Sequence, residues 1–200
     1  SRIDEKIELV IKNFMYYLHN DWNLIIFFTE NNEDYIRNLT ENIGEVKLVK
    51  INENNVDYKL YNQILKSDQF YDLIDGEYIL IFQMDTLLRK SIPDKFLNYS
   101  YIGAPWRNDL HHVKFAGEVG NGGLSIRNKK DMIKIIHSIV DDMLLNEDVY
   151  FSAGCDCLKL TKPTTEEANE FSIESIFFKD PVGMHAPWFE EEMFIDMLQI

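Results

Sequence analysis

The spacing of apolar residues changes along the first half of the chain, from a helical repeat to short continuous runs and back. A helix is predicted from Ile3 onwards, because apolar side chains recur at helical spacing at Ile7, Val10, Ile11, Phe14 and Leu18. The continuous run Leu24–Phe28 predicts a buried parallel strand, and the polar stretch after it leads into another helix. Residues 46–51 and 78–83 predict two more strands, with a helix over Tyr58–Leu65 between them.

The second half of the chain has shorter apolar segments and more loops. Residues 99–102 and 124–126 lie next to glycine-containing turns, which is typical of short strands. A long helix is predicted from the N-cap Asn128, with a buried side formed by Met132, Ile133, Ile136, Ile139, Val140, Met143 and Leu144. Thr164 and Glu167 have the spacing of a capping box, so a further helix begins there, and another short helix is predicted after Pro187.

The alternation of strands and helices predicts an α/β fold, with an open sheet and helices on its faces. The chain has 200 residues, of which 46% are hydrophobic and 13% aromatic, so it can bury a substantial core. No repeat, low-complexity segment or linker divides it. We therefore expect one domain that covers residues 1–200.

Charge and hydropathy exclude several classes of partner. The net charge of −14 repels nucleic acids and anionic membranes, so we expect no nucleic-acid partner. The same field would repel a nucleotide diphosphate unless carboxylates held a divalent cation beside it. No apolar run reaches the ~20 residues of a transmembrane helix. The absence of a leader, together with only two cysteines, predicts a cytoplasmic protein with free thiols.

Polar residues at the end of the predicted strand 78–83 are the first candidates for chemistry. Gln83 and Asp85 are two positions apart, so an extended chain would point both side chains to the same side. Ligands of open α/β sheets bind at the carboxyl ends of strands, where a carboxylate can hold a cation that bridges a diphosphate. The alternative is an aspartate that caps a helix or forms a turn before Thr86.

A glycine pair follows later in the chain, in Asn121-Gly122-Gly123. Two glycines directly before an apolar segment indicate a backbone that approaches another group closely or adopts positive φ. A bound substrate is one such group. The alternative is an ordinary tight turn into a strand.

Two more candidates are titratable groups. Asp148, next to Glu147, is followed by apolar and aromatic residues that would desolvate it and raise its proton affinity, which suits a general base. The alternative is an acidic pair at a solvated helix boundary. Gly183-Met184-His185 is predicted to lie in a loop bounded by proline and glycine, where the imidazole of His185 can bind a metal or a phosphate; the alternative is a structural histidine.

The order of these features resembles that of a known family. Segments 81–86, 101–106, 120–127, 147–151 and 181–185, spread over nearly the whole chain, are similar to uncharacterised glycosyltransferase-like domains with the GT-A fold. The resemblance implies an inverting transfer of a sugar from a nucleotide-diphosphate donor, with UDP-sugars favoured, to a hydroxyl of a carbohydrate or protein acceptor. The implied cofactor is Mn²⁺, with Mg²⁺ as the alternative.

The resemblance also implies roles for individual residues. Asp85 and His185 would bind the metal, and Asp148, with Glu147 beside it, would be the catalytic base. The donor would be bound by Arg2, Gln83, Asp85, Trp106, Asn121, Gly122 and Gly123.

Two departures from the GT-A pattern leave other functions open. The first acid of the family's D-x-D metal motif is Gln83 here, which removes one negative charge from the cation. The chain also opens with a predicted helix, so we expect a GT-A-like sheet without its first strand. The alternatives are a catalytically silent binding or structural domain of the same fold and a metal-dependent nucleotidyltransferase or hydrolase.

Overall fold

A computed structural model describes residues 6–18, 22–41, 43–141 and 144–186. Helices and strands are interspersed along the chain, together with two 3₁₀ helices at Glu30–Asn32 and Asp94–Asn98. The α-helices are α1 (Lys6–Leu18), α2 (Glu33–Thr40), α3 (Tyr58–Leu65), α4 (Asp68–Asp72), α5 (Val113–Ala116), α6 (Lys129–Ser138), α7 (Glu147–Cys157) and α8 (Thr165–Phe171). The strands are β1 (Leu24–Phe28), β2 (Val46–Lys50), β3 (Tyr78–Phe82), β4 (Thr86–Leu88), β5 (Tyr101–Gly103), β6 (Leu124–Asn128), β7 (Ser172–Ile173) and β8 (Gly183–His185).

The first five predicted elements are confirmed. α1 buries Val10, Ile11 and Phe14, as its apolar spacing predicts, and α3 has the predicted bounds. β1 and β2 pair in parallel, which agrees with the crossover helix between them. β1 is less buried than we expected, because only Phe28 is fully covered.

The strands form three separate hydrogen-bonded sheets in the described residues, where the sequence predicts one open sheet. β1 and β2 form the first sheet, and β3, β6 and β5 form an antiparallel second sheet in that order. The third sheet has the order β4-β8-β7, with an antiparallel and a parallel pair. The fold is α/β with mixed sheets.

Two apolar clusters cover the second sheet. One contains Ile79 and Tyr101 from the sheet together with residues of α3, α4, α6 and α7. The other contains Ile102, Leu124 and Ile126 together with residues of α1 and α8. Successive side chains of β6 point to opposite faces of the sheet, so Ser125 and Arg127 lie on the face opposite Leu124 and Ile126.

One predicted helix is too long. Asn128 does cap α6, because its side chain accepts a hydrogen bond from the Asp131 N–H at 3.2 Å. The helix ends at Ser138, and Ile139 adopts an extended conformation. Val140 and Leu144 are 86% and 76% exposed, so they do not continue the buried side, and Met143 lies outside the described residues.

The capping box predicted near the C-terminal part is confirmed. Thr164 accepts a hydrogen bond from the Glu167 N–H, and the Glu167 carboxylate accepts one from the Thr164 N–H at 2.9 Å. The helix predicted after Pro187 lies outside the described residues. None of the helices described, from α1 to α8, is long and apolar enough to cross a membrane.

Candidate functional site

The segment Asn121-Gly122-Gly123 lies between two groups of polar side chains and is fixed by its own hydrogen bonds. The Asn121 N–H donates to the Ala104 carbonyl at 3.0 Å, and the Asn121 side-chain oxygen accepts from the Gly123 N–H at 3.0 Å. The Gly123 carbonyl accepts from the Gln83 N–H at 3.0 Å. These bonds join the segment to the ends of β3 and β5, next to the start of β6.

The two glycines are required by close contacts with other side chains. A Cβ atom on Gly123 would lie 2.2 Å from Nε2 of His185, and a Cβ atom on Gly122 would lie 2.5 Å from Oε1 of Glu147. Neither glycine has a positive φ. Of the two expected reasons for the glycines, close approach to another group is therefore confirmed. The groups approached are side chains of the protein itself.

Gln83 and Asp85 belong to a turn. The Thr86 N–H donates to the Gln83 carbonyl at 3.2 Å, and the extended chain ends at Phe82. Gln83 and Asp85 therefore do not follow the alternation of a strand, which would point both side chains to the same side. Gln83 Nε2 donates to the hydroxyl of Tyr61 at 3.1 Å. Asp85 instead faces His185.

Asp85 and His185 form the first group of polar side chains. Nε2 of His185 lies 3.5 Å from Oδ1 of Asp85. Burial raises the pKa of Asp85, but the hydrogen bond and charge of His185 outweigh that effect and leave the pKa below its usual value. The loop predicted around His185 is wrong, because Gly183–His185 is the central strand of the third sheet and Thr86 is the β4 partner of His185.

Glu174 joins this group although the sequence argument missed it. It follows the two-residue strand β7, and its Oε1 lies 3.5 Å from Nδ1 of His185. Burial raises the pKa of Glu174, while the charge of His185 and a hydrogen bond from Asn121 partly offset the increase. A strand of two residues has no recognisable sequence period, so no local signal predicts this contact.

Asp148 is the main member of the second group. It lies in the first turn of α7, and its Oδ2 accepts a hydrogen bond from the Gly122 N–H at 3.2 Å. Burial and the nearby charge of Glu147 raise the pKa of Asp148 to about 6. The increase in proton affinity that the sequence predicts is therefore present.

Glu147 is fully buried, so the alternative of a solvated acidic pair is wrong for this residue. Its Oε2 lies 2.6 Å from Nη1 of Arg127, and the two side chains are 4% and 0% exposed. The contact is a close ion pair without the alignment of a good hydrogen bond. The Arg127 guanidinium also faces the rings of Tyr101 and Phe151, at 5.1 and 5.5 Å from their centroids.

Arg127 was not among the predicted site residues. A signal for it exists in the sequence, because Ser125 and Arg127 alternate with the apolar residues Leu124 and Ile126. Such a polar period of two inside a buried strand indicates polar groups that need a buried partner. The identity of that partner, Glu147, depends on how α7 packs against the sheet.

The remaining predicted donor-binding residues lie apart from these contacts or outside the described residues. Trp106 is 3% exposed, and its ring packs edge-on against His112 with 4.5 Å between centroids. Its indole ring also comes within 2.9 Å of the position that a Cβ on Gly120 would occupy. Arg2 lies outside the described residues.

The residues present offer two metal ligands. Asp85 Oδ1 and His185 Nε2 face each other at a separation suited to adjacent ligands of one cation, and they combine an oxygen with an imidazole nitrogen. Gln83 donates to Tyr61, and within the described ranges no three Asp, Glu, His or Cys side chains are arranged so that they could hold one metal ion; Glu174 lies at the other ring nitrogen of His185. The pair therefore fits a cation that takes its other ligands from phosphate oxygens and water.

Two surface clefts lie elsewhere on the molecule. One is lined in part by Tyr17, Trp22 and Tyr78 and the other by Lys90, Phe96 and Phe178. Neither cleft shares a residue with the groups around Asn121-Gly122-Gly123. The candidate site is thus defined by the two groups of polar side chains that contact the Asn121-Gly122-Gly123 segment.

Comparison with known proteins identifies the family. Residues 45–185 match the family model DUF5672, described as a protein of unknown function, and the chain belongs to this family. No curated protein sequence matches the chain. Among solved structures, the chain is similar to the crystal structure of A197 from STIV, with 14% identity over 66% of this chain and 77% of that chain and a TM-score of 0.35. A TM-score of this size supports no functional conclusion.

Proposed function

We propose that this protein is a GT-A-like glycosyltransferase that moves a sugar from a nucleotide-diphosphate donor to a hydroxyl acceptor. One observation carries the proposal. Two adjacent glycines contact the two groups of polar side chains: Gly122 binds Asp148, a carboxylate of raised pKa, and Gly123 packs against His185, the partner of Asp85. A base for the acceptor and a binding site for the diphosphate are the two parts that an inverting transfer requires.

Asp148 is the proposed catalytic base. A carboxylate with a pKa of about 6 is mostly ionised at neutral pH and still more basic than an ordinary aspartate, so it is suited to take a proton from an acceptor hydroxyl. The Gly122 N–H fixes one of its oxygens. The proton moves from the acceptor hydroxyl to the carboxylate of Asp148 as the acceptor oxygen attacks the sugar.

Glu147 and Arg127 have a positioning role in this proposal. Both side chains are buried, so neither reaches a substrate directly. The negative charge of Glu147 raises the pKa of Asp148, and Arg127 opposes this with a smaller effect. Their ion pair also supports the backbone at Gly122, which contacts Glu147 closely.

Asp85 and His185 would hold the divalent cation, with Mn²⁺ as the first choice and Mg²⁺ as the second. A cation bound at this position would neutralise the charge that develops on the leaving diphosphate. Such a group is needed because the chain has a net charge of −14, which repels a diphosphate. The amide of Gln83 leaves the cation fewer protein charges than a D-x-D motif would provide.

Transfer assays with matched variants test this proposal. We would incubate the protein with UDP- and GDP-sugars, with and without Mn²⁺, and measure nucleotide diphosphate release with and without a panel of carbohydrate acceptors. Asp148→Asn removes the base, while Asp156→Asn on the same helix is the control because its side chain is 49% exposed. We expect a loss of roughly 10²-fold or more for the first variant and no large change for the second.

The assay also separates the alternatives. Full turnover by Asp148→Asn would contradict the base assignment, and the absence of binding to every donor would contradict the donor class. Release of a nucleoside monophosphate or of pyrophosphate would indicate a hydrolase or nucleotidyltransferase. A folded protein that neither binds nor turns over any donor is the outcome expected of a catalytically silent domain, which the neutral Gln83 and the small metal-ligand set favour.

A further inference from the structure

Glu174 lies on the side of His185 opposite Asp85. His185 ends the central strand of the third sheet, and β4 and β7 flank that strand. Asp85 directly precedes β4, whose Thr86 pairs with His185, whereas Glu174 directly follows β7, whose Ile173 pairs with Met184. The register therefore brings one carboxylate to each ring nitrogen, with both distances at 3.5 Å.

The orientation of the His185 ring is restricted by its surroundings. The ring packs so closely on Gly123 that a Cβ atom there would lie 2.2 Å from Nε2. Nδ1 is buried and has no hydrogen-bond partner in the described part of the chain, and the acceptor within reach of a proton on this nitrogen is Glu174, whose Oε1 lies 3.5 Å away. A 180° flip of the ring would turn the carbon atoms Cδ2 and Cε1 towards the positions that the nitrogens occupy, so only the observed orientation presents a nitrogen to each carboxylate.

Glu174 is itself fixed by the Asn121 side chain. Asn121 uses its side-chain oxygen to accept from the Gly123 N–H, so its NH₂ group is the part that donates to the Glu174 carboxylate. Asn121 is 6% exposed, and the side chain of Glu174 is 23% exposed. The carboxylate is thus held in place beside Nδ1 by the same segment that contacts the ring.

We infer that Glu174 is a positioning residue that accepts the Nδ1 proton of His185 and leaves the Nε2 lone pair free to bind a divalent cation beside Asp85. The inference rests on the cation site of the proposed function. Imidazole can bind a metal through Nε2 only when that nitrogen carries no proton, and a carboxylate at Nδ1 fixes this tautomer. It also increases the basicity of the metal-binding nitrogen.

Direct binding of Mn²⁺ tests the inference without an activity assay. We would measure free Mn²⁺ by electron paramagnetic resonance during titration of the whole chain, for the wild type, Glu174→Gln, His185→Gln and the double variant. Glu174→Gln should weaken Mn²⁺ binding by about 10- to 100-fold. In the His185→Gln background the same change should have little effect, because Glu174 acts through the ring. Glu166→Gln, an exposed position on α8, is the matched control and should bind like the wild type.

Several outcomes would overturn the inference. Binding by Glu174→Gln within about twofold of the wild type, or an equal loss in both backgrounds, would mean that Glu174 does not act through His185. A wild-type protein that binds no Mn²⁺ would remove the premise. Loss of binding in the expected pattern without sugar transfer would contradict the proposed function alone, and transfer with an unaffected Glu174→Gln would contradict the inference alone.

A second measurement needs only the wild-type protein, so it does not depend on whether the variants fold. Long-range ¹H–¹⁵N spectra of the imidazole rings, recorded with the diamagnetic ions Mg²⁺ and Zn²⁺ in turn, report which nitrogen carries the proton. His185 should be protonated at Nδ1 when an ion is bound. A proton on Nε2, or no response of this ring to either ion, would contradict the inference.

Discussion

Arg127 and Glu147 form an ion pair 2.6 Å apart, and both side chains are almost completely buried. Removing two charges from water is costly, and only a partner charge nearby offsets the cost. The fold brings the two residues together from the fourth residue of β6 and the first turn of α7. The pair therefore links the second sheet to the helix that carries Asp148.

Replacing Arg127 with methionine should destabilise the fold strongly. Methionine fills a similar volume but leaves the Glu147 carboxylate buried without a partner, so we expect a loss of about 3–5 kcal/mol in the free energy of unfolding. Urea denaturation monitored by circular dichroism measures the loss. A change below about 1 kcal/mol would mean that the carboxylate is solvated or protonated without cost.

The control for this prediction is a pair on the surface. Lys95 and Glu170 also form an ion pair, but their side chains are 57% and 43% exposed. Lys95→Met should therefore change the free energy of unfolding by less than about 1 kcal/mol. The comparison separates the effect of burial from the effect of losing one positive charge.

Gly123→Ala should displace the His185 ring and destabilise the fold. The new Cβ would lie 2.2 Å from Nε2 of His185, so the ring or the backbone has to move. We expect a loss of stability of about 1–3 kcal/mol and a shifted imidazole signal of His185. Gly76→Ala is the control, because a Cβ atom added there would come no closer than 3.2 Å to another group, the Tyr78 carbonyl oxygen. Equal effects of the two variants, with an unchanged His185 signal, would contradict the close packing.

The raised pKa of Asp148 makes its effect on stability depend on pH. The folded protein binds the proton more tightly than the unfolded chain, so this group stabilises the fold at low pH, and that contribution is lost as the pH rises through about 6. Asp148→Asn has no such proton. Its stability relative to the wild type should therefore increase by about 1 kcal/mol between about pH 5 and about pH 8.

Urea denaturation at the two pH values measures this difference. Asp75→Asn is the control, because the Asp75 side chain is 91% exposed, and we expect it to stay within about 0.5 kcal/mol of the wild type at both pH values. A relative stability of Asp148→Asn that stays constant, or that falls as the pH rises, would contradict the raised pKa.

Local patterns in the sequence predict much of the fold. The positions of α1, β1, β2, α3 and β3 follow from apolar spacing, and the capping box at Thr164 marks the start of α8. Prediction from local sequence patterns fails where contacts between distant parts of the chain determine the structure. The apolar spacing that predicts a longer α6 continues past Ser138, but the chain there leaves the core, so Val140 and Leu144 are exposed.

The same distinction applies to the candidate site. Asp85, Asp148 and His185 could be proposed from the sequence because each lies beside a recognisable strand, glycine motif or helix boundary. Arg127 and Glu174 gain their roles from contacts with partners that are distant in sequence, and β7 is too short to have a pattern. Gln83 shows the opposite error, because a period of two does not continue through the turn at Gln83–Thr86.

The location of bound metal and nucleotide is the most direct test of the proposed site. We would add substoichiometric Mn²⁺ together with UDP to the ¹⁵N-labelled protein and record which backbone amide signals the paramagnetic ion broadens, with Mg²⁺ as the diamagnetic reference. Broadening centred on Gly122, Gly123 and His185 is the predicted result. Broadening centred on the cleft beside Tyr17 and Tyr78, or spread evenly over the acidic surface, would contradict a metal-assisted glycosyltransferase site at Asp85 and His185.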